Sequence, residues 1–92
     1  MKFVLALLFA AALASPAAAA PSFADDLRQC KEGATPKERA EGCAAAIEWG
    51  ELQGDALAAA FSQYGLALFD SGEHVRALAA VTEAMRINPL AS

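Results

Sequence analysis

Residues 60–89 read AFSQYGLALFDSGEHVRALAAVTEAMRINP. Apolar and small residues recur in this stretch at spacings of three, four and seven, which place side chains on one face of a helix. The first helix presents a face made of Phe61, Tyr64, Gly65 and Leu68, and the second a face made of Ala77, Leu78, Val81, Ala84 and Met85. The stretch therefore predicts a hairpin of two amphipathic helices within an all-α fold.

The turn and the end of this hairpin are marked by glycine and proline. Gly72 can adopt the left-handed conformation that ends the first helix. Pro89 lacks an N–H group and biases Asn88 away from helical geometry, so the second helix should stop there. Gly65 and Ala77 leave room for the two backbones to approach. Any amphipathic hairpin would explain the periodicity, but not this placement of small residues and proline.

The pattern resembles the tetratricopeptide repeat (TPR), a helical hairpin of about 34 residues. The residues that carry the resemblance are Phe61, Tyr64, Gly65, Leu68, Gly72, Ala77, Val81, Ala84 and Pro89. The resemblance implies a non-enzymatic module that binds a protein or peptide partner. It also implies that one stripe of the first helix lines the binding groove, and in this chain the stripe consists of Ala59, Ser62, Leu66, Phe69 and Asp70.

Leu66 and Phe69 have two interpretations. In the first they form an apolar contact with a partner, while Ser62 and Asp70 orient it. In the second they pack on the helix predicted over residues 35–49, because a chain with so few helices needs its apolar residues for the core. Helical geometry turns both residues away from the buried face of their own helix, which favours partial exposure.

The N-terminal segment has the composition of a secretory signal. Lys2 gives a positive start, and residues 3–14 form an apolar run of the expected length. Small residues follow, and cleavage is expected between Ala19 and Ala20. A membrane anchor is the alternative, but the run is shorter than the ~20 apolar residues that span a bilayer. We therefore predict a signal peptide over residues 1–19 and an exported protein, periplasmic or secreted.

The mature chain is small and acidic. Cleavage removes 19 of 92 residues and the charge of Lys2, which leaves 73 residues and changes the net charge from −4 to −5. Such a chain has no basic patch for nucleic acid or an anionic membrane, so neither is expected as a partner. A hydrophobic core of this size is only marginally stabilising on its own.

The two cysteines, Cys30 and Cys43, are expected to form a disulfide. Two cysteines in a short exported domain most simply pair with each other, and closing this loop is worth on the order of 3 kcal/mol. A redox-active pair usually has C-x-x-C spacing, and a zinc site needs four ligands where this chain offers two cysteines and one histidine. Pairing between two chains is the remaining alternative.

Local signals predict two helices that carry these cysteines. Residues 23–31 form the first helix, which Gly33 is expected to end in a left-handed conformation. A capping box between Thr35 and Glu38, with proline at the first helical position, starts the second helix. This helix should run to about Trp49 and end at the following glycine.

Cys43 lies in the middle of the second helix. Ala40, Cys43, Ala44 and Ile47 share one face, which is expected to turn toward the segment that carries Cys30. Gly42 costs ~1 kcal/mol relative to alanine inside a helix. A close approach of the first helix would explain why glycine stands there, and Trp49 is interpreted as a cap on this small core.

The chain thus divides into a signal peptide (1–19), an N-terminal helical cap (20–54) and a single TPR-like repeat (55–92). Residues 43–58 resemble the linker before the first repeat in exported bacterial repeat proteins, where a cysteine-bearing helix packs like half of an earlier repeat. About three repeats are usually needed for independent stability. The disulfide-linked bundle could suffice, the last helix could dock on another chain, or the sequence could be a fragment of a longer array. An interaction module could also self-associate into a homo-oligomer.

Residues with catalytic chemistry are sparse. No catalytic triad, phosphate-binding glycine loop or metal-ligand spacing is recognisable, so no enzyme, cofactor or metal is expected. His74, the single histidine, is interpreted as a packing or surface ring. Two alternatives to an interaction module remain: a fragment of a longer TPR protein without independent function, and a thiol-redox or metal-handling protein that uses Cys30 and Cys43.

Overall fold

A computed structural model describes residues 21–90, and helices joined by short loops are the regular secondary structure of this part of the chain. The helices are α1 (Phe23–Glu32), α2 (Pro36–Glu48), α3 (Gly54–Asp70) and α4 (His74–Ile87). The prediction of an all-α fold is confirmed. The predicted signal peptide, its cleavage point and residues 91–92 lie outside the described residues.

The helices pack in the order of the chain. α1 packs on α2, α2 on α3, and α3 on α4, while α1 touches α3 only lightly. Within the described residues, the backbone of α4 runs close to that of α3 alone, although Ala77 and Ala80 share the core cluster with Ala40 of α2. The last helix therefore has one side against the bundle, and its remaining surface is left without a helical neighbour in this part of the chain.

Side-chain caps start the first two helices. The Ser22 hydroxyl accepts a hydrogen bond from the Asp25 amide, and the Thr35 hydroxyl accepts one from the Glu38 amide, each at 3.1 Å. The Glu38 carboxylate accepts from the amide of Ala34 at 3.1 Å, one residue before the position that a capping box uses. The predicted start of α2, with proline in its first turn, is confirmed.

Glycine was predicted to end each of the first three helices, and at two of the three positions it does so in the left-handed conformation. Gly50 has φ 77° and Gly72 has φ 88°, so both end their helices as expected. Gly33 was expected to do the same, but its φ is −54°. A Cβ atom there would lie 2.8 Å from the Gln29 carbonyl oxygen and 3.0 Å from the Arg39 amide nitrogen. Position 33 therefore requires glycine because there is no room for a side chain, and not because of its backbone conformation.

The core is built from small residues, with Leu68 as its largest fully buried side chain. Its members are Ala40, Ala67, Leu68, Ala77 and Ala80, with Phe61 and Tyr64 packed against them. Gly65 lies so close to α4 that an added Cβ atom would be 2.7 Å from Cγ2 of Val81. The helices of the hairpin therefore approach closely, as the small residues predicted.

The buried face of α4 differs from the predicted one. Ala77 and Ala84 are buried as expected, and Ala80 joins them, but Leu78 and Met85 are 68% and 47% exposed. Close approach to α3 selects a row of alanines for the contact, because larger side chains in that row would hold the helices apart. Leu78 and Met85 consequently turn outward.

The buried face of α2 is also broader than predicted. Cys43 and Ala46 are fully buried, while Ala44 and Ile47, which were expected on the packed face, are half-buried. The reason is that α2 lies between two helices. Gly42 faces α1, and Ala40 belongs to the core cluster shared with α3 and α4.

Cys30 and Cys43 lie within disulfide distance. Their sulfur atoms are 1.94 Å apart and their Cα atoms 4.3 Å apart, marginally below the roughly 4.4–6.8 Å that we expected. The pair is intramolecular, so the alternative of pairing between chains is not required. Trp49 adds a second link between the helices: its ring meets Phe23 edge-on, and its Nε1 donates to the Asp26 carboxylate at 2.8 Å.

Candidate interaction surface

Leu66 and Phe69 lie on the solvent side of α3. Each is 56% exposed, whereas Leu68 on the opposite side of the helix is 2% exposed. The expected partial exposure of the pair is confirmed. The alternative, in which they pack on α2, is wrong. The face of α3 that packs into the core carries Phe61 and Leu68, and Leu66 and Phe69 do not belong to it.

These two side chains form one wall of an apolar groove between α3 and α4. The groove has a volume of about 610 Å³. Its lining consists of Ser62, Gln63, Gly65, Leu66, Phe69, His74, Ala77, Leu78 and Val81. The small residues Gly65 and Ala77 form its floor, since the two helices approach most closely there. No carboxylate, lysine or arginine lines it, so the groove suits an apolar occupant.

An aromatic stack stands at one end of the groove. The rings of Phe69 and His74 are stacked, with centroids 4.5 Å apart and planes inclined by 30°. The turn at Gly72 produces this contact, because it places the last residues of α3 beside the first residue of α4. His74 is thus a surface ring that packs on its neighbour, in line with its expected role.

One polar atom of the groove lacks a partner. The hydroxyl oxygen of Ser62 is buried and makes no hydrogen bond. Ser62 lies one helical turn before Leu66 and lines the same groove. The sequence assigned it an orienting role toward a partner, but the oxygen is buried and does not face the open groove in this conformation.

The predicted stripe on α3 does not act as one surface. Ser62, Leu66 and Phe69 line the groove, but Ala59 faces a separate hollow between α1 and α3, beside Leu27 and Leu52. Asp70 is exposed and lines neither. The reason is helix rotation: Ser62 and Phe69 lie on the side of the stripe toward Gly65 and α4, whereas Ala59 and Asp70 lie on the side that is turned away from α4. The structure therefore keeps three of the five predicted residues together.

Sequence reasoning missed the contribution of α4. Val75, Leu78 and Met85 are 84%, 68% and 47% exposed, and Leu78 forms the wall opposite Leu66. Periodicity alone placed Leu78 and Met85 on the buried face. One feature of the sequence could have revealed the error. The apolar residues extend around more of the circumference of α4 than a single neighbouring helix can bury.

The charged residues of α4 lie on another side. Arg76 donates to the Tyr64 hydroxyl and to the Glu73 carboxylate, both at 2.8 Å. The hydrogen bond to Glu73, with a smaller contribution from Tyr64, raises the pKa of the Arg76 guanidinium above its ordinary value. These contacts hold the arginine against the Tyr64 face of α3, away from the apolar groove.

The described residues offer little for catalysis or metal binding. Residues 21–90 contain no cluster of three or more histidine, cysteine or carboxylate side chains that could hold a metal. Cys30 and Cys43 are 2% and 0% exposed. None of the four helices combines the length and apolar character that crossing a bilayer requires.

No protein-family model, curated protein or solved structure matches this chain. The resemblance to the TPR family therefore rests on the residues quoted from the sequence and stays a prediction. The groove between α3 and α4 is the candidate site that the geometry itself provides.

Proposed function

We propose that this chain is an exported protein–protein interaction module of the TPR type, periplasmic or secreted, and that its partner binds in the α3–α4 groove. The observation that carries the proposal is the exposure of Leu66 and Phe69 opposite Leu78, in a groove without charged lining residues. Small soluble domains rarely leave such a contiguous apolar patch in water unless it serves as a contact surface.

The shape and chemistry of the groove favour a protein segment as its occupant. It is an open channel between two helices rather than an enclosed cavity, and an amphipathic helix binds such a channel through its apolar face. The exposed Gln63 supplies a polar group at its edge. The resemblance to a family of partner-binding repeats points to the same class of function.

Export is supported by the disulfide as well as by the predicted signal peptide. Disulfides persist in oxidising compartments and are rare in the cytosol. Burial of both sulfur atoms also favours a structural role over thiol exchange, because an exchanging thiol must be accessible to its substrate. The thiol-redox alternative is therefore the weaker hypothesis.

Site-specific photo-crosslinking in the cells that make the protein tests this proposal. A photoreactive amino acid at position 66 should give covalent adducts with protein. The same probe at Glu41, which is exposed on α2, is the matched control and should give none. Adducts at position 66 should disappear when Leu78 on the opposite wall is changed to Asp. Equal labelling at both positions, or none at position 66, would contradict the assignment of the groove.

A fragment of a longer repeat protein would behave differently. In that case a following helix of the same polypeptide would cover the groove, and the probe at position 66 would crosslink within one chain. The mass of the purified product then exceeds that of the 92-residue chain. This measurement separates an independent module from the first repeat of a longer array.

A further inference from the structure

The outer surface of α4 carries a regular apolar ridge. It consists of Val75, Leu78, Thr82 and Met85, all exposed, and we refer to these four residues as the outer ridge. Their spacings of three, four and three are those of the a and d positions of a heptad. In two-helix packing these positions form the contact between helices.

The outer ridge is not a by-product of the packing against α3. Each residue turns a helix by about 100°, which places the ridge roughly 150° around the axis of α4 from the buried row of Ala77, Ala80 and Ala84. The ridge has no helical neighbour within residues 21–90, because the backbone of α4 runs close to that of α3 alone. A helix at the outer boundary of a domain normally places polar residues on this face. In α4, however, Arg76 and Glu83 lie on a different side of the helix from the outer ridge.

We propose that the outer ridge packs on the outer ridge of a second copy of this chain, with the two α4 helices antiparallel about a two-fold axis. This inference rests on the proposed function and names the partner of the same surface, since Leu78 belongs both to the ridge and to the groove. The interface is isologous, so a residue i of one copy that contacts residue j of the other is matched by residue j of the first copy contacting residue i of the second.

The spacing of the ridge is symmetric, as a two-fold interface requires. Its midpoint lies at the level of Ala80. Around an axis at that level, Val75 faces Met85 of the second copy, and Leu78 faces Thr82 of the second copy. Each pair combines a larger with a smaller side chain, which allows the two rows to interdigitate. The ridge is therefore self-complementary in this antiparallel register.

The exposed area is close to what a dimer needs. Leu66, Phe69, Val75, Leu78 and Met85 are 47% to 84% exposed. Together they present roughly 500 Å², compared with about 800 Å² per partner in an interface of standard size. The remaining area is available from the adjoining small residues of α4. The patch is therefore large enough to be the centre of a homodimer interface.

The charge distribution also favours contact through α4. This helix contains two arginines and one glutamate, an excess of one positive charge, whereas α1, α2 and α3 each contain more acidic than basic residues. Joining two copies through α4 keeps the acidic helices at the outside of the dimer. The acidic helices of the two copies are thus kept apart, and each lies nearer to the positive α4 pair than to the acidic helices of the other copy.

Sedimentation equilibrium tests the proposal on protein expressed from the full 92-residue reading frame and purified as the cell delivers it. The unaltered protein should dimerise, and Leu78→Glu should raise the dissociation constant about tenfold or more. Ala56→Glu, at an exposed position of α3 outside both the ridge and the groove, is the matched control and should leave it unchanged. Val75→Glu, at the most exposed position of the ridge, is a second disrupting variant whose folding should be unaffected.

A charge exchange tests the antiparallel register. Val75→Lys and Met85→Glu should each weaken the dimer, while the two together in one chain should restore it at low salt, because each lysine then faces a glutamate of the other copy. Val75→Lys combined with Thr82→Glu should remain dissociated, since these positions do not face each other. Equal recovery in both combinations would overturn the proposed register.

The outcomes separate this inference from the proposed function. A monomer at every concentration, together with adducts to another protein from position 66, would refute the second copy as occupant and leave the interaction module standing. A monomer without any adducts would refute both. A dimer that withstands Leu78→Glu and Val75→Glu would show that copies associate elsewhere, and it would refute the ridge.

Discussion

A Cβ atom on Gly42 would lie 2.6 Å from the backbone nitrogen of Cys30, closer than real Cβ contacts come. At this point α1 and α2 pack backbone against backbone. The disulfide between Cys30 and Cys43 forms beside the same contact, and the Cα atoms of the two cysteines are 4.3 Å apart. The glycine and the disulfide therefore depend on one and the same close approach.

Gly42→Ala should destabilise the protein. Alanine favours a helix over glycine by about 1 kcal/mol, but the added methyl group meets the backbone of Cys30, and overpacking of this kind typically costs about 1–3 kcal/mol. Denaturant unfolding measures the difference. Gly65→Ala is the comparison and should cost less, because there the nearest backbone atom, the Ala77 carbonyl oxygen, would be 3.2 Å from the methyl group instead of 2.6 Å. A gain in stability for Gly42→Ala would contradict the proposed contact.

Cys43→Ala should lower the free energy of unfolding by about 2–5 kcal/mol, the range for native disulfides in small secreted domains. The core is small and rich in alanine, so little else compensates. Thermal unfolding with and without a strong reductant gives the same comparison on the unaltered protein. Both sulfur atoms are buried, so mild reductants should act slowly. Rapid, reversible reduction would instead favour the thiol-redox hypothesis.

The double variant Leu66→Ser/Phe69→Ser should keep its helix content. Both side chains are more than half exposed, and surface substitutions usually change stability by no more than about 0.5 kcal/mol each. Association through the groove should weaken, because the apolar wall is lost. Circular dichroism and sedimentation measure the two effects. A loss of helix would assign the pair to the core and remove the groove assignment.

Acid should weaken the start of α1. A hydrogen bond from Arg28, and a smaller contribution from Ser22, lower the pKa of Asp25 below its ordinary value of 3.8. A carboxyl whose pKa is depressed in the folded state contributes stability above its ordinary pKa and loses it as the pH falls through the folded value. The contribution of Asp25 should therefore be present at neutral pH and disappear below about pH 3.8.

Asp25→Asn provides the measurement for this effect. Melting temperatures of the variant and the unaltered protein should differ at neutral pH and converge in acid. Added salt should reduce the difference at neutral pH, since the Asp25–Arg28 pair is exposed. A difference that stays constant from neutral pH into acid would show that the carboxylate charge is not responsible.

Export predicts a shortened N-terminus. Mass spectrometry of protein recovered from the native envelope or medium should show a mature chain that starts at Ala20 or within a residue or two of it. The reason is the small-residue context before this position, which signal peptidases accept. Recovery of intact Met1 in a membrane fraction would contradict the cleaved signal peptide.

The sequence by itself determined the helices and most of their ends. The cap at Thr35, the left-handed glycine at Gly72 and the stop before Pro89 act over a few residues, so local patterns suffice to predict them. The pairing of Cys30 with Cys43 was also within reach, because two cysteines in a short chain leave few alternatives.

Tertiary structure alone decided which faces are buried. The rotation of α4 depends on how closely its alanine row can approach Gly65, and periodicity could not choose between that row and the one with Leu78. The close contacts of Gly33 and Gly42 likewise depend on where a second helix lies. Such choices arise from packing between segments distant in sequence, and they leave the outer ridge of α4 exposed.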